Sequence, residues 1–179
     1  VGYHAGKLVT TGIVNTIVGG LAADALTTGS ENVALGYKAL STATSTSNNI
    51  AVGSGALENL NYDGASNNTA VGHNSGNDLT TGVQNTFLGS LAGDALLTGE
   101  NNVALGYNTL STANTNESGN VAIGANALKL LDNGSTQYTY NTAVGHSAGL
   151  SVSTGIQNTL IGGLAGDALT TGSENIAIG

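Results

Sequence analysis

Three histidines, six tyrosines and eleven acidic side chains are the residues of this chain that could do chemistry, and their spacing decides which chemistry is open. There is no cysteine, no arginine, and neither a G-x-S-x-G nor an H-E-x-x-H pattern, so the usual nucleophiles, anion clamps and zinc helices are missing. No enzymatic activity and no cofactor are therefore expected. The stretch Gly162–Leu169 approaches the G-G-x-G-x-D-x-U signature of calcium-binding β-rolls, but Ala165 stands where a glycine is required. The same place in neighbouring copies runs Asp24, Ser41, Glu58, Asn77, Asp94, Ser111, Lys129, Leu150 and Asp167, which is not a ladder of acids. No metal is expected there. His73 and His146 are 73 residues apart, too far to share an ion within one chain, and His4 stands alone.

Tyrosine beside carboxylate or amide is the remaining constellation. Tyr62 precedes Asp63, and Tyr138 and Tyr140 follow Asp132 and Asn133. An aromatic ring with a polar tip can stack on a sugar and hydrogen-bond it, so these six residues form a candidate glycan or receptor site. The competing reading is that both stretches are tolerated loop insertions.

What positions these residues is a repeat. A phrase of the form N-[TVI]-x-[VLI]-G begins at Asn15, Asn32, Asn49, Asn68, Asn85, Asn102, Asn120, Asn141, Asn158 and Asn175, at intervals of 17, 17, 19, 17, 17, 18, 21, 17 and 17 residues. Near-identical stretches open at Leu21, Leu91 and Leu164, 70 and 73 residues apart, so four short units make a larger one. A 17-residue unit is too short for a pair of stacked helices and suits one turn of a solenoid. β-Branched residues after each asparagine and a glycine closing each phrase favour a short strand ending in a turn. The two longest intervals contain the tyrosine stretches, and extra residues in a solenoid emerge as loops at one corner. Val1-Gly2 and Ile178-Gly179 repeat the tail of the phrase, as expected for a portion of a longer array. Residues 1–179 are thus read as one repetitive β-solenoid segment of about ten turns, roughly 48 Å long.

Columns can be numbered from each asparagine. Positions +1 (Thr, Val or Ile) and +3 (Val, Leu or Ile) share a face and are expected inside. Small residues at +7 and the column Leu26, Ala43, Leu60, Leu79, Leu96, Ala113, Leu131, Val152 and Leu169 at +11 are expected to join them. The asparagines are expected to form a hydrogen-bonded amide ladder, and to accept the left-handed backbone of a corner. Position +2, between the two inward columns, holds Ile17, Ala34, Ala51, Ala70, Phe87, Ala104, Ala122, Ala143, Leu160 and Ala177, without a polar residue. A strand apolar on both faces needs a cover, so column +2 is expected to form the interface of a homotrimer. The alternative is a monomer with an apolar stripe. Threonine pairs at Thr10, Thr27, Thr80 and Thr170 raise an ice-binding reading, which gaps in the row weaken.

A formal charge of −8, with three lysines as the only basic side chains besides histidine, argues against nucleic acid and anionic membrane surfaces as partners. No apolar run reaches the roughly 20 residues of a membrane span. The absence of cysteine leaves the compartment open.

The units NTAVGHSAGLSVSTGIQNTLIGGLAGDALTTGSENIAIG, from Asn141 to Gly179, resemble the repeats of bacteriophage tail fibres and related bacterial surface proteins. Their N-x-A-[VIL]-G-x-x-A core is similar to the head repeats of trimeric autotransporter adhesins. The resemblance extends over all ten units. It implies a left-handed parallel β-roll, trimeric and fibrous, acting in attachment to a cell surface. The expectation is a tail-fibre segment on a virion, a stiff spacer that also contacts a host glycan or protein. The alternative is a bacterial adhesin or self-assembling extracellular filament.

Overall fold

The computed structural model describes residues 1–112, 116–134 and 138–179. Ala113 of the +11 column, and residues 135–137 of the second tyrosine stretch, lie outside the described residues. The chain winds as an all-β solenoid of about nine turns, with no helix among the described residues. Each repeated phrase contributes one three-residue strand: β1 (Thr16–Val18), β2 (Val33–Leu35), β3 (Ile50–Val52), β4 (Thr69–Val71), β5 (Thr86–Leu88), β6 (Val103–Leu105), β7 (Val121–Ile123), β8 (Thr142–Val144), β9 (Thr159–Ile161) and β10 (Ile176–Ile178). They form a single parallel sheet in chain order, paired residue for residue, so that Ile17 faces Ala34 and Ala70 faces Phe87. Equal repeat positions therefore stack in straight columns.

The asparagine ladder fills one side of the interior. Asn85 donates from Nδ2 to Asn68 Oδ1 (3.1 Å) and to the Gly99 carbonyl (2.8 Å). Its own Oδ1 accepts from the Asn102 backbone N–H (3.0 Å) and Asn102 Nδ2 (3.1 Å). The arrangement recurs from Asn15 to Asn175, with hydroxyls inserted in the two longest turns: Ser66 Oγ donates to Asn49 Oδ1 (2.8 Å) and Thr139 Oγ1 to Asn120 Oδ1 (2.7 Å). The left-handed backbone falls on the residue before each ladder asparagine, from Val14 (φ 59) to Glu174 (φ 60), and not on the asparagine itself.

The ladder also decides which way the strand faces, and here the expected sides are exchanged. Positions 0 and +2 share a face because side chains alternate along a strand, and the asparagine amides turn inward. Column +2 follows them: Ala34, Ala51, Ala70, Phe87, Ala104, Ala122, Ala143 and Leu160 are all 0% exposed, and Ile17 and Ala177, in the terminal strands, are half-buried against the same core. The eight inner residues form the core of the single chain and are not available to a second one, and the two terminal ones point the same way. Columns +1 and +3 point outward instead, with Val18, Ile50, Leu88 and Ile161 each at least 40% exposed. A narrow coil has room for alanine inside but not for two β-branched side chains per turn. Columns +7 and +11 are inward as expected, joined by +8, where Leu40, Leu57, Leu110 and Leu128 are fully buried.

Columns +2 and +8 share a fixed volume. Where +2 is alanine, +8 can be leucine; where +2 is large, glycine faces it. A Cβ on Gly76 or Gly93 would lie 2.8 or 2.7 Å from the Phe87 ring, and one on Gly149 or Gly166 2.7 or 2.8 Å from Leu160. At the corner, Gly89 has φ 138 and a Cβ there would overlap the Gly106 carbonyl, so the coil closes on stacked bare backbone.

Some polar surface is committed to the winding itself. Thr27 Oγ1 donates to the Thr44 carbonyl (2.9 Å) and Thr80 Oγ1 to the Leu97 carbonyl (2.8 Å), so these hydroxyls tie turns together and do not present a free row to ordered water. Asp94 is the exception. Its Oδ1 is buried without a hydrogen-bond partner among the described residues, and burial pushes its carboxyl up to about 6, helped by Asp78 and opposed by nearby backbone N–H groups. A folded-state value above the ordinary 3.8 means that the protonated form is favoured by folding. That stabilisation is complete below pH ~4 and is lost as pH rises through about 6. The full shift corresponds to about 3 kcal/mol, which half-exposure reduces to roughly 1 kcal/mol. Asp94→Asn is expected to raise the melting temperature at pH 7.5 and to change it little at pH 4, read by circular dichroism on both proteins in parallel.

Candidate functional site

The tyrosines of the longest turn come together. Tyr138 and Tyr140 stack with ring centroids 5.2 Å apart and planes 17° from parallel. Both rings rest on Gly119, where a Cβ would lie 2.8 Å from Tyr138 and 3.1 Å from Tyr140. Gly119 is the one glycine in the column preceding the ladder asparagines, a position otherwise filled by side chains such as Glu31, Gln84 and Asn101. Its bare backbone makes the seat for the pair. Tyr138 reaches back past it, donating its hydroxyl to Glu100 Oε1 and accepting from Asn101 Nδ2 (3.1 Å). The hydrogen bond to Glu100 raises the Tyr138 phenol above its ordinary range, so the hydroxyl stays protonated and spoken for. What the pair offers a ligand is ring surface: Tyr138 is 38% and Tyr140 56% exposed.

The other four candidate residues divide differently. The Asn133 backbone N–H donates to Oε1 of the fully buried Glu117 (3.0 Å), and that of Asp132 to the Ser153 carbonyl (2.9 Å), leaving both half-buried at the root of the loop. Tyr62 is half-buried against the core, with exposed Asp63 beside it. These two belong to a turn four windings earlier, roughly 19 Å along the axis, so the six residues make two separate places. Glu100, Asn101 and Gly119 complete the Tyr138–Tyr140 site and escaped the sequence reading. The isolated glycine in an otherwise side-chain-bearing column is the signal that marks them.

The outward sheet face is the second candidate. Columns +1 and +3 run unbroken through ten strands with only threonine, valine, isoleucine and leucine. At strand spacing this strip is about 45 Å long and about 10 Å wide, on the order of 450 Å², a size at which exposed apolar patches mark interaction surfaces. No pocket and no group of side chains able to hold a metal ion occurs among the described residues. Comparison with protein-family models, curated proteins and solved structures returns no match for this chain.

Proposed function

We propose that the chain is a segment of a homotrimeric fibre, best read as a bacteriophage tail fibre, acting as a stiff spacer and as part of the host-contacting surface. The observation that carries this reading is the outward strip of columns +1 and +3. It is apolar in every turn, and parallel strands are ordinarily covered on both faces. Sibling copies of the same strip, arranged about a common axis, supply a cover of matching length and period. The face assigned to the interface is thus the +1/+3 strip, in place of column +2. Rigidity follows from the continuous hydrogen bonding between turns, and the Tyr138–Tyr140 pair is the loop feature suited to touch a host glycan or protein. The net negative charge disfavours nucleic acid, and the fibre is read as standing outside any membrane. A bacterial surface adhesin would use the same geometry; a virion-attachment or a membrane-anchoring domain elsewhere in the gene distinguishes the two.

The test is the introduction of charge into the strip. Leu88→Lys combined with Leu105→Lys places two cations on exposed positions of neighbouring strands, where the solitary coil tolerates them. The expected result is retention of the β-sheet circular dichroism spectrum with a threefold drop in mass by light scattering. An unchanged mass would remove this face from the interface.

A further inference from the structure

A column that neither the core nor the outward strip uses carries rings at a fixed interval. The residue after the corner glycine is Tyr3, Tyr37, His73, Tyr107 or His146 in every second turn, and Gly, Ser or Ala in the turns between. All five rings are exposed, Tyr37 and Tyr107 by 54% and 56%. Small residues between them leave each ring room to lie along the coil: the Tyr37 ring leans over Gly20, 3.6 Å from where a Cβ would stand. Each ring is followed by a hydrogen-bonding side chain, Lys38, Asn74 and Asn108 among them. Because the strands pair without slippage, the column is straight and its rings recur about every 9.5 Å.

We infer that this column is a binding rail for a linear, neutral, β-linked polysaccharide lying along the solenoid axis. The apolar face of a pyranose stacks on an aromatic ring, and in an extended β-1,4-linked chain each sugar is turned over relative to the last. Equivalent faces therefore recur every second unit, close to the interval between these rings. The net charge of −8 disfavours acidic polysaccharides and selects neutral ones. The rail gives the attachment role a ligand class, yet it needs only one chain, so it stands or falls separately from the trimer.

Calorimetric titration with cellohexaose and chitohexaose tests it, with sedimentation of the same samples recording assembly. At least one hexasaccharide is expected to bind, far more tightly than its disaccharide. Tyr37→Ala and Tyr107→Ala are each expected to weaken binding about tenfold, and their combination with His73→Ala to abolish it. Tyr37→Phe, which keeps the ring and removes only the hydroxyl, should leave it intact. Absence of binding to both hexasaccharides at millimolar concentration would overturn the inference. So would a triple variant with a native circular dichroism spectrum and undiminished affinity, or one that changes mass in sedimentation, which would make the rings a contact between chains.

Discussion

Asn85→Leu is expected to lower the unfolding free energy by about 4 kcal/mol, one of the two largest effects of a single substitution anticipated in this chain. Leucine fills nearly the same volume but takes part in none of the amide's bonds. The Gly99 carbonyl would lose its donor from Asn85 and the Asn102 backbone N–H its acceptor, both in the buried interior. Each orphaned group costs about 1–3 kcal/mol because no water can reach it. Asn68 Oδ1 would keep the Asn85 backbone N–H (2.9 Å), and Asn102 Nδ2 would keep the Glu117 carbonyl (2.7 Å), so the damage stops at the adjacent turns. Asn175→Leu is the internal control: this side chain is exposed, water can replace the bond to Asn158, and about 1 kcal/mol is expected. Chemical denaturation of the two variants beside the parent reads both values. Equal small losses would mean that the ladder fills space without holding the turns.

Phe87→Ala is expected to cost about 4 kcal/mol, and Gly93→Leu in the same chain to recover part of it. Phe87 is fully buried and is the largest side chain of the interior, so its removal opens a cavity that the rigid backbone cannot collapse. Gly93→Leu alone would drive a side chain into the ring. The pair, however, recreates what the next turn already contains, Ala104 at +2 and Leu110 at +8, where leucine carries the same left-handed backbone strain (φ 49, against φ 61 at Gly93), which limits the recovery to part of the loss. A double-mutant cycle by denaturation should therefore give a favourable coupling of at least ~2 kcal/mol. Simple additivity of the two losses would show that the columns do not share volume.

The volume trade was readable in the letters, since Phe87 and Leu160 are each flanked by glycines at +8 of their own and the preceding turn. So were the period, the stacking of equal positions and the amide ladder, because a phrase repeated ten times reports its own register. The facing of the strand was not read correctly, although its cause was present. Uniformly aliphatic columns look like a core, and both parities of this strand are apolar. Only the asparagine breaks the tie, since an amide ladder shielded from water must share its face with +2. The candidate site was half legible: Tyr138 and Tyr140 stood out as rings in a long turn, but their partners Glu100 and Asn101 are contributed two turns back. Loop length says that a loop exists and not where it folds. The separation of Tyr62 and Asp63 from the second stretch follows from their lying four turns apart, so equivalent places in the larger repeat are not neighbours in space.

The central claim is that the outward strip of valine, isoleucine, leucine and threonine is covered by copies of the same chain. Sedimentation equilibrium of the unmodified protein tests it most directly. The expected mass is three times 17.5 kDa, unchanged on dilution through the micromolar range. A stable, soluble species of 17.5 kDa with the +1/+3 face in water would contradict it.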